Sequence, residues 1–480
     1  MRAGTAVRGA IGCCVTLAAL ALSPATSTAE PSAVGAELPA DLVVAIERDL
    51  QLTPQQYLNR AAQSQRLADF AVFARIAYPS AFAGVHMDGD RAVVSLADGA
   101  STADARQVAK QAGFDVAMVA DSEAALRDRR TAFEQWLAAQ PDAVADNIRS
   151  YGIDVAHNAL AVHQVKDTRF PRELGTIRSV AASGPKTGPD TTPPGPGVLA
   201  TTPESPYIGG TPYGVAHGDN TPRCTLGFNG TDSAGNTVNI TAGHCNPGNW
   251  FDPAARVQGT HRIYDMQGGQ RGEAIGEFDV SELGPHDYAV VRILDEYAPR
   301  FRNNLVSVQE IDAPQPSIPS GSGGSAGLPP AGSSGVQSGS SAPAGLVPVA
   351  MTDDKTLHIE GTAEAVDGAD VCKMGIITGF ACGKVTGVGQ KLITKGVPGD
   401  ENRGVAIEDM FTTNLCTHRG DSGGPVFTLT EQGAQAMGMT SSGSPDTDQP
   451  APVCGPNPLH VAQPINTVLQ QHEGLSVRTK

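Results

Sequence analysis

Two stretches of this 480-residue chain cannot build a core, and they decide how the rest is divided. Residues 181–197 run from Ala181-Ala182-Ser183-Gly184-Pro185 to Pro193-Pro194-Gly195-Pro196-Gly197, and residues 313–344 are almost entirely Ser, Gly, Pro and Ala. Neither offers the apolar burial that would offset the entropy of ordering it, so both read as exposed, flexible segments. They leave a short piece at the N-terminal side and a long C-terminal region interrupted by the second stretch.

The N-terminal piece alternates helical and strand patterns. Leu42, Val43, Ile46 and Leu50 recur at helical spacing. Thr53-Pro54-Gln55-Gln56 then places Thr53 as an N-cap, Pro54 in the first turn and Gln56 reaching back to the cap. Residues 84–96 and 151–163 read as two hairpins, turning at Gly89-Asp90 and His157-Asn158, with helical stretches at 102–111 and 122–139 between them. This predicts a small α/β domain over 30–165 without cysteines and without a catalytic constellation, followed by a linker or processing region at 166–206.

From about Tyr207 the texture becomes short β-type runs separated by Gly, Asn and Pro, such as 237–241, 288–294 and 436–440, which predicts an all-β barrel or sandwich over 207–480. Six cysteines fall in this region: Cys224, Cys245, Cys372, Cys382, Cys416 and Cys454. An even set in an exported domain reads as disulfides, and no Cys-x-x-Cys pair favours the alternative of a metal site. Export is expected because residues 1–29 carry Arg2 and Arg8, an apolar run from Ile11 to Leu22, and a small-residue exit at Ser27-Thr28-Ala29. That is the layout of a secretory signal peptide, and its apolar run is too short to span a bilayer. A formal charge of -16 with no basic domain argues against a nucleic-acid partner.

The chemistry concentrates in Gly420-Asp421-Ser422-Gly423-Gly424-Pro425. A serine hydroxyl needs a base to remove its proton and N–H groups aimed at the oxygen that becomes negative. Glycines around Ser422 let the N–H groups of Gly420 and Ser422 converge on one point. The base is expected at His244, delivered by the β-like run Val238-Asn239-Ile240 into Thr241-Ala242-Gly243-His244-Cys245. An acid must hold the imidazole's tautomer, and Asp287 at the head of Tyr288-Ala289-Val290-Val291 fits best, with Asp265, Asp279 and Asp312 as competitors.

The order His244, Asp287, Ser422 is that of chymotrypsin-like proteases. The region from Cys224 onward resembles the streptogrisins and alpha-lytic protease of bacteria. The matching pieces are Arg223-Cys224-Thr225-Leu226-Gly227-Phe228 and residues 241–245, 287–292, 371–383, 414–425 and 438–443. The N-terminal piece is similar to that family's pro-region in its leading helices and two hairpins. The resemblance implies two six-stranded antiparallel β-barrels with the catalytic cleft between them. It also implies disulfides Cys224–Cys245, Cys372–Cys382 and Cys416–Cys454, no cofactor, and a secreted endopeptidase made as a zymogen. Its partners would be peptide or protein substrates and its own pro-region, acting as folding catalyst and inhibitor, with no membrane contact once the signal is removed.

The resemblance further implies that Ser441, Ser442 and Gly443 pair with substrate backbone as an added strand. Ser442 departs from the family's usual glycine. Asp421 would pair with a cation following Cys372, where this chain has Lys373 in place of the family's arginine, or Lys373 is a solvated loop residue. Six residues before the nucleophile stands Cys416 rather than a carboxylate, which argues against cleavage after Lys or Arg. Thr417 and Thr440 as wall residues lead us to expect apolar side chains in the specificity pocket, with His460 as a route to acidic ones instead. The alternative to an enzyme is a protease-fold protein at the cell surface used for binding.

Overall fold

The N-terminal helices form where the sequence supplies both an apolar stripe and a start signal. The computed structural model describes residues 38–181, 204–215, 221–251, 261–267, 270–309, 355–394, 405–445 and 451–479. Helix Ala40–Leu50 buries Leu42, Ala45 and Ile46. Helix Pro54–Ala77 opens on a reciprocal cap: the Gln56 N–H donates to Thr53 Oγ1 at 3.3 Å, and the Thr53 N–H donates to Gln56 Oε1 at 2.8 Å. The hairpin Phe82–Asp88/Arg91–Ala97 turns at Gly89-Asp90 and gains Asp115–Val119 as a parallel third strand. The second hairpin, Ile148–Asp154/Ala159–Gln164, follows helices Thr102–Gln111 and Glu123–Ala138.

One boundary differs from the sequence reading. Residues 166–181, read above as linker, contain the turn Arg172–Leu174 and the strand Ile177–Ala181, which runs parallel to Ala159–Gln164. The partner strand supplies hydrogen bonds that a local composition argument cannot see, so the ordered piece reaches Ala181. The expected signal at 1–29, the Pro/Gly stretch beyond Ala181 up to 203 and the insertion 313–344 lie outside the described residues.

The rest is β-structure in two sheets. The first is antiparallel and places Ser476–Val477, Phe228–Thr231, Thr237–Thr241, Asp287–Ile293, Gln270–Leu283, Arg262–Gln267, Pro212–Val215 and Arg223–Thr225 side by side. It exceeds the six strands implied by the resemblance because the C-terminal strand Ser476–Val477 joins it and because 223–231 is interrupted at Leu226-Gly227. The strand Asp287–Ile293 shows the period-two logic of a strand between two cores. Ala289, Val291 and Ile293 pack with Leu226, Ile263 and Phe278, whereas Tyr288 and Val290 pack with Ile465 and Val468.

The second sheet closes on itself. Asp370–Gly375 pairs with Gly379–Thr394, which pairs with Val405–Thr413, then Leu459–Pro464, Gly433–Ser444 and Pro425–Thr430, which returns to Asp370–Gly375. Six antiparallel strands in a ring leave no edge within the barrel. Gly379–Thr394 outruns its neighbours, and its far end takes up the N-terminal hairpin through Lys391↔Tyr151 and Leu392↔Ser150. The two leading helices lie against the same barrel, where Leu42, Ile46 and Tyr57 share a core with Cys372, Phe380 and Phe427. The Cys382 N–H donates to Asp49 Oδ2 at 2.9 Å, and the Met87 N–H donates to the Asp367 carbonyl at 2.8 Å. Among the described residues no helix is long and apolar enough to cross a membrane.

Candidate active site

Where Thr237–Thr241 ends, Gly243–Cys245 makes one 3₁₀ turn and carries His244. The turn is pressed against the neighbouring chain: a Cβ on Gly243 would fall 1.8 Å from the Glu282 carbonyl oxygen, so only glycine fits. Cys245 is bridged to Cys224, which anchors the turn's other side. Asp287 heads the strand hydrogen-bonded to Thr237–Thr241, and that register sets His244 beside it. The His244 backbone N–H donates to Asp287 Oδ1 at 2.8 Å, and His244 Nδ1 lies 2.7 Å from Oδ2. Both residues are fully buried.

Asp287 is also held from the second barrel. Ser441 Oγ donates to Asp287 Oδ2 at 2.5 Å, and the Asp287 N–H donates to Gln463 Oε1 at 2.9 Å. The Asp287 carboxyl group and backbone N–H are therefore held by residues of both barrels. Of the competing acids, Asp265 is buried on Arg262–Gln267, Asp279 is exposed on Gln270–Leu283, and Asp312 lies outside the described residues.

Ser422 sits in the loop before Pro425–Thr430. Gly423 has φ +83°, and a Cβ there would stand 2.0 Å from Thr241 Oγ1, so the Ser422 loop abuts the strand that leads into His244. The Ser422 carbonyl accepts the Thr225 N–H at 2.8 Å and lies 3.8 Å from the Cys245 sulfur. The Asp421 N–H donates to His418, that of Gly423 to Thr440 and that of Gly424 to Asp421. Among the described residues the N–H groups of Gly420 and Ser422 have no such acceptor, which leaves both available to an incoming oxygen.

Asp421 fixes the loop from below. Its carboxylate accepts the N–H groups of Ile377 at 2.8 Å, Thr378 at 3.1 Å and His418 at 3.0 Å, and the Thr378 hydroxyl at 2.6 Å. Lys373 Nζ is 3.5 Å away, with both side chains wholly buried, so Lys373 is not a solvated loop residue. Burial works against the Asp421 carboxylate, but Lys373 and these hydrogen bonds hold its pKa below the usual carboxylate range. Burial pushes the Lys373 pKa down while Asp421 resists the shift.

Thr417, Thr440, Ser441, Ser442 and Gly443 are all buried near this loop. Gly433–Ser444 stays paired with Pro425–Thr430 only as far as Pro425↔Met439, so residues 441–443 have an edge not covered by that strand. A Cβ on Gly443 would lie 2.1 Å from the Thr417 methyl, so the two segments approach closely. The disulfides Cys372–Cys382 and Cys416–Cys454 form alongside Cys224–Cys245, the pairing the resemblance implies. Gln463 and Thr413 (the latter near His460) escaped the sequence reading. Neither carries a local signal, because each acts on a residue of another strand.

No family model matches the chain. Streptogrisin-C of Streptomyces griseus is 26% identical over 484 residues, covering 97% of this chain and 82% of that protein. Serine protease 2 of Streptomyces fradiae is 25% identical over 224 residues, covering 46% of this chain and 87% of its own length. Among solved structures, a Nocardiopsis protease aligns with a TM-score of 0.34 at 23% identity, covering 57% of this chain and 99% of its own. An alpha-lytic protease homologue aligns with a TM-score of 0.34 at 20% identity, covering 56% and 97%. The two-barrel fold and the likeness to curated relatives that are serine proteases support a streptogrisin-like serine endopeptidase of the chymotrypsin type.

Proposed function

We propose that the region 207–480 is secreted and hydrolyses peptide bonds through an acyl-enzyme, with Ser422 as nucleophile, His244 as general base and Asp287 as the acid that orients it. Ser422 Oγ attacks the scissile carbonyl carbon as His244 Nε2 takes its proton. The carbonyl oxygen, now negative, is received by the N–H groups of Gly420 and Ser422. His244 returns the proton to the leaving amine as the C–N bond breaks, and water repeats the sequence in reverse to free Ser422. Asp287 keeps the proton on Nδ1 and stabilises the imidazolium without being protonated itself. The observation that carries this reading is the two-sided hold on Asp287, by His244 N–H and Nδ1 from one barrel and Ser441 from the other. Residues 441–443 would pair with the substrate's backbone as an added strand.

Residues 30–181 act in this reading as a pro-region that assists folding and inhibits the product. Support comes from the pairing of Ile148–Asp154 with the long strand Gly379–Thr394 and from the leading helices on the Cys372–Cys382 side. A β-barrel pair is dominated by non-local contacts and folds slowly, and a docked template lowers that barrier. The catalytic assignment is tested by treating the processed protein with a fluorophosphonate and comparing it with Ser422→Ala. Labelling at Ser422, with a rate loss of about 10⁴-fold or more in the variant, is expected. A protease-fold binding protein would take no label and lose nothing on substitution.

A further inference from the structure

Asp287 is carried on a turn that is itself fastened to the second barrel. Gly284-Pro285-His286 links Gln270–Leu283 to Asp287–Ile293, which face each other at Leu283↔Asp287. Gly284 has φ +83°, and a Cβ there would stand 2.6 Å from Val405 Cγ1, so the turn lies against the strand Val405–Thr413. The Glu408 N–H of that strand donates to the Pro285 carbonyl at 2.6 Å.

His286, the residue before Asp287, adds an ionic contact to this attachment. Its N–H donates to Glu282 Oε1 at 3.1 Å, and its Nδ1 lies 3.3 Å from the same oxygen. Its Nε2 lies 3.9 Å from Asp409 Oδ2. Glu282 belongs to the first barrel and Asp409 to the second. The pairing of Val405–Thr413 with Gly379–Thr394 slips between Leu392↔Ile407 and Gln390↔Met410, so Glu408 and Asp409 together face Lys391. Asp409 stands in that bulge at φ +56°, and such a bulge re-aims a side chain out of the regular pleat.

Other groups complete the surroundings of the ring. Gln471, at the end of the helix Ile465–Gln471, is 2.8 Å from Nδ1 and can turn its amide oxygen towards a charged imidazole. The Tyr288 hydroxyl donates to Glu282 Oε2 at 3.3 Å and lies 2.8 Å from His472 Nε2. Lys391 Nζ is 2.9 Å from Glu408 and 3.7 Å from Glu134. Arg127 and Arg130 of Glu123–Ala138 act on Asp409 from the N-terminal piece. Asp409 and Glu282 push the His286 pKa up to about 9, with burial opposing them. Burial also works against the Glu282 carboxylate, yet His286 holds it, and Asp409 more directly, below the usual carboxylate range. One imidazolium therefore stands between carboxylates of the two barrels, and loss of its proton leaves them facing each other across a neutral ring.

Resting on the protease reading above, we propose that His286 is a positioning residue whose imidazolium clasps Glu282 to Asp409 and so steadies the turn that presents Asp287 to His244. In the same reading Arg127 and Arg130 share Asp409 in the full chain and leave with the pro-region, which gives His286 that carboxylate to itself in the processed enzyme. The folded pKa lies above the ordinary 6.5, so the contribution of the clasp is present below that value and is lost as the pH rises through about 9.

The test is kcat and KM of the processed protein from about pH 7 to about pH 10.5, with a peptide substrate that carries no group titrating there. Across a one-proton step centred near pH 9, kcat should fall by about threefold while KM changes less. His286→Asn should run at the lower level throughout, without the step. Asp409→Asn should keep the step and move it by about one unit towards 6.5, because one of the two supporting anions is gone. A flat profile in the parent, a step that persists in His286→Asn (as one belonging to Lys373 would), or a step unmoved in Asp409→Asn overturns the inference. Asp409 is exposed, so its variant decides the matter even if His286→Asn does not fold. Fluorophosphonate labelling of the same preparation separates the failures. Labelled enzyme without a His286-dependent step sinks this inference only, whereas unlabelled, inactive protein sinks the protease reading and this with it.

Discussion

Replacing Lys373 with Met should reveal how much of the Ser422 loop depends on one buried cation. Lys373 Nζ and Asp421 Oδ2 are 3.5 Å apart with no solvent on either side chain. At an effective dielectric constant of about 20, two unit charges at that distance attract by about 5 kcal/mol. Removing one member of a buried pair typically costs about 3–5 kcal/mol, because the other is left charged and dry. Asp421 would keep three backbone N–H donors and the Thr378 hydroxyl, so the loss belongs at the lower end, about 3 kcal/mol. Urea unfolding of the full chain, carrying Ser422→Ala to prevent self-digestion, would measure it at neutral pH.

The pH dependence carries a second signature. Asp421 has a folded pKa below its ordinary 3.8, so its contribution is present above that value and is lost as the pH falls through the folded pKa. Without Lys373 the depression shrinks, and acid unfolding should begin at a higher pH than in the parent. A destabilisation under about 1 kcal/mol, with the acid edge unmoved, would mean that hydrogen bonds alone hold the carboxylate and that the pair argument is wrong.

Gly423→Ala should be among the most damaging single-methyl changes, because its Cβ would meet Thr241 Oγ1 at 2.0 Å and its φ is +83°. A loss above about 3 kcal/mol in the same urea assay is expected, and a neutral result would refute the close approach. Ser441→Ala removes a hydroxyl donor from Asp287 and should lower kcat by about tenfold or more while changing KM less. Equal kcat in the two proteins would show that Ser441 does not help position the acid. Arg60→Met removes a guanidinium 2.9 Å from the buried Asp370 carboxylate and should destabilise the full chain by about 1–3 kcal/mol. The smaller figure reflects Lys384, which stays 2.7 Å from the same carboxylate, and an unmoved urea midpoint would argue against the contact.

Much of the site was legible because its signals are local. A glycine-flanked Ser422, a histidine held between Gly243 and Cys245, and Asp287 at the head of an apolar strand each declare themselves within about six residues. The chain order His244, Asp287, Ser422 links them. The capping box at Thr53 and the hairpin turns at Gly89-Asp90 and His157-Asn158 were readable for the same reason, since caps and tight turns are closed by neighbours in sequence. The strand Ile177–Ala181 was not, because a parallel strand exists only through its partner. Ser441 and Gln463 reach Asp287 from 154 and 176 residues away, and Thr413 reaches His460 across 47. These contacts depend on strand register in two barrels and on how the barrels meet. The residue types that could react were therefore written in the sequence, whereas the contacts of Asp287 with Ser441 and Gln463 and of His460 with Thr413 were decided by tertiary structure alone. Hydrogen bonds between distant strands leave no periodicity to read.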